Sequence, residues 1–438
     1  MRDLSDSFPP GKTGCALFLQ GPPSRFWSDL ARGFSAVGWR VEKILISPAD
    51  ALFWSAGPST RFSGDLDEWR AFFQARLRDN DVTCVFLYAD RLPHHRVAIN
   101  ICRRIGVPVY VIENGYLRPD WITCEQGGMG RYSEIPRSAD AIQAMAIGLP
   151  EPDLRPKYPH KFFQEAWREV AFHLCNGLTP RRFWRYDHDR YYHPAYDYAQ
   201  YLLKFLRAPW IDDHVKKSCT DLFMNDRAFY FAPLQMQTDY AVRENSDYAH
   251  IRAMIKEVIA SFARHAPKNS RLLFKSHPHD NGAEGWGRII RRTAKRHRIG
   301  RRVCLIESGP FGSLVAASKG VIVINSTSGL HAIRAFKPVI ALGDAVYDMP
   351  GLTHQSGLDS FWKKPDPIDM RLVEDFVRVL AHRYQVKGSF FNPRGRRRAV
   401  RAIVERITGK IVPSDSPRRT PIAATEPAMA QSERQLAS

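Results

Sequence analysis

The chain has 438 residues, and 64 Lys and Arg against 45 Asp and Glu give a formal net charge of +19. Hydrophobic residues make 44% and charged residues 25%, which excludes a wholly disordered chain, and the length suits roughly two or three domains. No apolar run approaches the ~18–20 residues of a membrane-spanning helix. Met1–Thr13 lacks the basic start and apolar core of a secretory signal, so the expected place is the cytoplasm.

In chain order, Gly14–Gln20 reads as a buried strand, Ser24–Val37 as an amphipathic helix, Arg40–Ser47 as a strand and Asp67–Arg78 as a helix. Val82–Asp90 is a third strand, Arg96–Ile105 a third helix and Pro108–Glu113 a fourth strand. Near-continuous Val, Ile, Leu and Phe runs separated by helices predict a parallel sheet covered on both faces. Residues 151–225 break the pattern with Tyr, Trp, Phe, Arg and His, and read as a helical bridge or insertion. Alternation then restarts with strands at Ala228–Pro233, Arg271–Ser276, Val303–Ile306, Gly320–Asn325 and Pro338–Leu342. Helices are expected between them at Ala249–His265, Trp286–His297, Pro310–Ala317 and Ser328–Phe336, with a last one over Leu372–Tyr384.

The expected fold class is therefore α/β, with two Rossmann-like domains facing one another across a cleft. The expected units are 14–150, the bridge 151–225, a second domain 226–390, a basic helix 391–411 and a disordered tail 412–438. Seven cysteines (Cys15, Cys84, Cys102, Cys124, Cys175, Cys219, Cys304) are scattered without a CxxC pair, which argues against a disulfide framework and a zinc site.

The positive charge calls for an anionic partner: nucleic acid, a membrane surface or an acidic small substrate. One basic cluster runs from Arg288 to Arg302 without an acid. Another runs from Arg394 to Arg406 and reads as a surface that meets phosphates. No nucleic-acid-binding motif accompanies either, so nucleic acid is not an expected partner.

Ligands of such sheets bind beyond the carboxyl ends of the strands, which singles out the loops after Gln20, Asp90 and Glu113. Gln20-Gly21 leads into a helix, and a glycine there allows close approach of backbone to ligand. Glu113 ends a strand before Asn114-Gly115, where a carboxylate can serve as nucleophile or base, or simply cap a tight turn. In the second half, Lys275-Ser276-His277-Pro278 follows a strand, and His277 can donate to a phosphate oxygen while Lys275 adds charge. Asn325-Ser326-Thr327-Ser328-Gly329 joins a strand to a helix, and hydroxyls at a helix N-terminus suit an anion. Gln235 and Asp239 follow the 228–233 strand and point to the same cleft.

These residues carry a resemblance. The chain resembles the capsule polysaccharide synthesis family of KpsS/LipB type, which are retaining β-Kdo glycosyltransferases. The match spans roughly residues 14–390 and rests on FLQGP (Phe18–Pro22), His95-Arg96-Val97-Ala98, ENGYLRPDWIT (Glu113–Thr123) and Pro233-Leu234-Gln235 with Asp239. It continues in KSHP (Lys275–Pro278), NSTSGL (Asn325–Leu330), YDMPGLT (Tyr347–Thr353) and LDSFW (Leu358–Trp362).

The resemblance implies a GT-B-like architecture, CMP-β-Kdo as co-substrate and no metal or other cofactor. It implies an acceptor at the inner face of the cytoplasmic membrane, phosphatidylglycerol or its lyso form, on which a poly-Kdo linker for capsule export begins. Carried over by position, Glu113 is the catalytic carboxylate and His277 the catalytic phosphate ligand. Ser326, Thr327 and Ser328 form a hydroxyl cradle, with Gln20, Gly21, His95, Arg118, Gln235, Asp239, Lys275 and Pro278 around the substrates. Residue 114 departs from the family pattern, which often has an acid where this chain has Asn; Asp120 and Asp239 are the reserve carboxylates. The rival from another class is a non-catalytic scaffold of the capsule assembly and export machinery that binds lipid or partner proteins.

Overall fold

Alternating apolar runs build two sheets in the computed structural model, which describes residues 13–79, 81–159, 162–177 and 228–412 with scattered positions between 183 and 206. The first half supplies β1 (Cys15–Phe18), β2 (Arg40–Leu45), β3 (Ser59–Arg61), β4 (Cys84–Tyr88), β5 (Val109–Asn114) and β6 (Trp121–Gln126). The second half supplies β7 (Phe229–Pro233), β8 (Arg271–Lys275), β9 (Val303–Ile306), β10 (Gly320–Val323), β11 (Val339–Ala341) and β12 (Gln385–Lys387).

Successive side chains point to opposite faces, so Ala16, Phe18, Cys84 and Phe86 enter one core while Leu17, Leu19, Val85 and Leu87 enter the other. The second sheet divides in the same way, with Phe229 and Phe231 on one face and Tyr230 and Ala232 on the other. Strands buried on both faces are what the continuous apolar runs require.

The first sheet runs β12-β6-β5-β4-β1-β2-β3 and the second β11-β10-β7-β8-β9. From β3 to β5 and from β9 to β11, both show the doubly wound order 3-2-1-4-5. All pairs within those two stretches are parallel. The order reverses between β1 and β4 and between β7 and β10, and ligands of such folds sit beyond the strand ends at that point. The expected α/β class with two Rossmann-like domains across a cleft is the architecture found, and it is GT-B-like.

The domain division differs from the expected one. Residues 385–387 leave the second unit, and β12 pairs antiparallel with β6 in the first sheet. The helix Pro393–Thr408 then buries Ala399, Val400, Ile403, Val404 and Ile407 against the helix Phe26–Ala36. Gly33 makes the close approach possible, since a Cβ there would lie 2.9 Å from Val400. Both ends of the described chain thus belong to the N-terminal unit, and the basic helix expected over 391–411 is the helix Pro393–Thr408, packed on that unit.

Its arginines divide accordingly: Arg396 pairs with Asp29, and Arg406 donates to the carbonyls of His382, Arg383 and Gln385. Arg394, Arg397 and Arg398 stay exposed. The other basic cluster behaves differently. The helix Trp286–Arg296 turns Trp286, Ile290 and Ala294 inward at four-residue spacing. Arg288, Arg291, Arg292, Lys295 and Arg296 face out, and Arg298 and Arg301 extend the exposed set. Among the described residues no helix is long and apolar enough to cross a membrane. The expected tail lies outside the described residues from 413 on, as does most of the 151–225 bridge.

Candidate active site in the cleft between the sheets

Strand ends from both sheets line one cavity of about 220 Å³. The first sheet contributes Ala89, Asp90 and Arg91 after β4, with Glu113, Tyr116 and Arg118 after or at the end of β5. The second contributes Gln235 and Asp239 after β7, His277 after β8, and Asn325, Ser326 and Thr327 after β10. Asp344 clasps the two units across the mouth, pairing with Arg131 and Arg137.

Glu113 is the last side chain but one of β5, half-buried at the cavity floor. Gly115, two residues on, is required by packing: its N–H donates to the Trp121 carbonyl at 2.8 Å, and a Cβ there would lie 2.6 Å from that backbone. Burial, then the neighbouring Asp90 and Asp239, push the Glu113 carboxyl up to about 7, and Arg118 only partly offsets them. Such a group exchanges its proton near neutral pH. Arg118 reaches over the cleft, with Nε held by the Gly115 carbonyl at 3.3 Å.

On the opposite wall, the His279 N–H donates to Nδ1 of His277 at 3.2 Å. Burial and the positive surroundings of His279, Lys275, Arg118 and Lys204 pull the imidazole down to about 4. It is neutral at pH 7, and with Nδ1 accepting, its proton sits on Nε2 as a donor. Lys275 ends β8 buried beside it, its pKa lowered by burial and by Lys204. Neither Lys275 nor Pro278 lines the cavity; Pro278 is exposed on the adjoining turn.

The start of the helix Thr327–Arg334 faces the cavity through Ser326 and Thr327, while Ser328 does not line it. Ser326 Oγ accepts from the Ser328 N–H at 3.1 Å and is the N-cap, which leaves the Thr327 hydroxyl as the uncommitted one of the two. Gln235 and Asn325 hold one another: Gln235 Nε2 donates to Asn325 Oδ1 at 2.9 Å, and the Asn325 N–H returns to Gln235 Oε1 at 3.2 Å. Gln235 thus positions the helix start from the cavity wall. Tyr347 of YDMPGLT donates to the Ser326 carbonyl, and Gly329 leaves room for its ring. Asp239 is open to the cleft but walled by both units, so desolvation raises its pKa, and one oxygen accepts from the Ala241 N–H at 2.8 Å.

Besides Lys275, Pro278 and Ser328, three more expected substrate contacts, His95, Gly21 and Gln20, lie outside the cavity. His95 is fully buried, with Nδ1 2.7 Å from the Ala89 carbonyl, and anchors the loop that presents Asp90. Burial pulls its pKa down to about 4. Gly21 is occupied from within, because a Cβ there would meet the Trp27 ring at 2.4 Å, and Gln20 is buried beside it. Asp120, a reserve carboxylate, spends an oxygen on the backbone N–H groups of Lys157 and Tyr158 and does not line the cavity. Sequence reasoning missed Asp90, Arg91 and Tyr116 as lining residues; their signal was position just past a strand end. Among the described residues no three His, Cys, Asp or Glu side chains gather to hold a metal ion.

The sequence profile described as "Capsule polysaccharide biosynthesis protein" matches residues 83–391. The chain is 29% identical over 379 residues to the Escherichia coli protein "Capsule polysaccharide export protein KpsS", covering 86% of this chain and 96% of that one. It is 29% identical over 391 residues to "Capsule polysaccharide modification protein LipB" of Neisseria meningitidis serogroup B, covering 86% and 91%. A solved structure from Thermosulfurimonas dismutans, "KpsC, beta Kdo 2,7 transferase", aligns with a TM-score of 0.46 at 14% identity, over 90% of this chain and 99% of that one.

Proposed function

The chain belongs to the capsule polysaccharide biosynthesis family, and from that premise we propose that it is a retaining glycosyltransferase that moves Kdo from CMP-β-Kdo to phosphatidylglycerol or its lyso form. This transfer starts the poly-Kdo linker on which the polysaccharide is exported. The observation that carries the reading is the opposition, across one cavity, of the Glu113 carboxylate to a helix N-terminus and a neutral histidine donor. The motif resemblance supplies the identity of the sugar and of the nucleotide.

In the proposed reaction the Glu113 carboxylate attacks the anomeric carbon of Kdo, and the bond to the CMP phosphate breaks. The phosphate leaves with the bonding electrons, stabilised by His277 Nε2–H, the Thr327 hydroxyl and the helix start. An acceptor hydroxyl then attacks the same carbon, its proton passes to a cleft carboxylate such as Asp239, and Glu113 is released as the carboxylate. Two displacements at one carbon give retention. The proposal assigns no step to a metal.

The acceptor is a lipid, and the chain would meet it at the inner face of the cytoplasmic membrane as a peripheral protein. The cationic face of the helix Trp286–Arg296, with Arg298 and Arg301, supports this part of the reading. At about 1 kcal/mol per cation near an anionic surface, several suffice for reversible attachment. Mass spectrometry of the product from CMP-Kdo and a fluorescent phosphatidylglycerol tests the proposal. A lipid heavier by one or more Kdo residues is expected, and an unmodified lipid with intact donor would overturn it.

A further inference from the structure

Behind the cavity floor lies a second carboxyl that the reaction above does not use. The register of β5 against β6 sets Val111 opposite Glu125 and Glu113 opposite Thr123, so Glu113 and Glu125 share one face of the sheet as diagonal neighbours. Glu125 is 1% exposed. Tyr116, which lines the cavity, places its hydroxyl 2.8 Å from Glu125 Oε1, and the Ser133 hydroxyl reaches Oε2.

Among the described residues, the charged groups that act most on Glu125 are acidic. Asp90 on the β4 end is paired with Arg91 and accepts from the Met129 N–H, and Glu113 stands on β5. Tyr384 comes from the π-helical segment Leu380–Tyr384, with Arg383 beside it, and Glu134 follows Ser133. Burial first, then Asp90 and Glu113, push the Glu125 carboxyl up to about 8, against the Ser133 and Tyr116 hydrogen bonds.

We propose that Glu125 is a positioning residue that acts through Tyr116, deciding whether the tyrosine hydroxyl donates into the cavity beside Glu113 or back into the protein. The hydrogen-bond inventory gives the direction. Ser133 Oγ already accepts from the Ile135 N–H at 3.2 Å, which suits it to donate to Oε2. The proton of neutral Glu125 then belongs on Oε1, where it is donated to the Tyr116 oxygen, which also accepts from the Gly130 backbone, and the phenol hydrogen is left for a substrate oxygen in the cavity. When Glu125 loses its proton to solvent, both hydroxyls donate inward and the cavity loses that donor. No covalent bond of Tyr116 changes; its hydroxyl only rotates.

The catalytic consequence rests on the Kdo-transfer reading, and the test separates the two. Transfer by the parent should fall above about pH 8. Glu125→Gln offers an amide N–H to Tyr116 and a carbonyl to Ser133, so it should keep most activity at pH 7 and lose that alkaline fall. Tyr116→Phe should lose about 10²-fold or more at pH 7, the cost of one donor. An unchanged alkaline fall in Glu125→Gln, or full activity in Tyr116→Phe, overturns the proposal.

Melting without substrates gives a second readout. An acid whose pKa rises from about 4.3 unfolded to about 8 folded destabilises the parent progressively across that window. Glu125→Gln should therefore gain melting temperature over the parent between about pH 5 and 8, and no more above. A parent that transfers no Kdo refutes the transfer reading while this window stands; a flat difference refutes the neutral Glu125 itself.

Discussion

The two walls of the cleft are chemically opposite, yet each is drawn toward neutrality. On the N-terminal side burial and then nearby carboxylates raise Glu113 to about 7 and, behind it, Glu125 to about 8. On the C-terminal wall burial and neighbouring cations lower His277 to about 4 and Lys275 in the same direction. Desolvation disfavours whichever form is charged, so one cavity moves acids and bases toward each other. The difference suits the proposed division of work, in which a carboxyl forms the bond to the sugar while uncharged donors and a helix N-terminus receive a phosphate.

Removing the carboxylate should break the comparison most completely. Glu113→Gln should lose Kdo transfer by on the order of 10³-fold or more while CMP affinity, measured by calorimetry, stays near that of the parent. It should also melt higher than the parent above about pH 7, because a carboxyl raised from about 4.3 to about 7 costs stability as pH climbs through that window. Equal loss of CMP binding would mean that the walls do not divide their roles.

On the other wall, His277→Ala should cost about 10²–10³ in turnover, the usual price of one donor aimed at a developing charge. Turnover near that of the parent would remove the histidine from the reaction. The pH profile sharpens the contrast further. Transfer should rise with pH through about 7 as Glu113 ionises, and His277, already neutral above about 4, should add no limb between pH 5 and 9. An acid limb that persists in a His277→Ala protein and centres near 7 would locate it on the carboxylate wall.

Much of this was readable in advance, for a physical reason. Apolar runs such as Val82–Asp90 and Gly320–Asn325 have to be buried on both faces, so they fixed the parallel sheets, and strand ends then pointed to Glu113, His277 and Ser326–Thr327. What stayed hidden depends on contacts distant in sequence. β12 is three residues long and continues a helical pattern through Tyr384, so only its pairing with β6 reveals it. Arg396 looks like its exposed neighbours until Asp29, far away in the chain, pairs with it. His95 and Gly21 sit in motifs, but their reasons are the Ala89 carbonyl and the Trp27 ring. Glu125 gave no signal, because its meaning comes from Tyr116 and Ser133.

Milder changes follow. Ser326→Ala removes an N-cap, which typically costs 0.5–2 kcal/mol of stability, and should weaken donor binding only a few-fold because Thr327 and the helix N–H groups remain. Replacing Arg288, Arg291, Arg292 and Lys295 by Gln should cut partition to anionic vesicles by at least about tenfold. The same protein should keep its turnover on detergent-dispersed acceptor, since this helix face lies apart from the cavity lining. Unchanged partition at low salt would make the cluster a solvated face.

The central claim is that Glu113 forms a bond to the sugar, and trapping that bond tests it most directly. Incubation with CMP-Kdo alone, rapid acid quench and peptide mass mapping should place one Kdo on the peptide that contains Glu113, and none on the Glu113→Gln protein. A Kdo adduct on the peptide carrying Asp239 or Asp90, or full transfer by Glu113→Gln, would contradict the account.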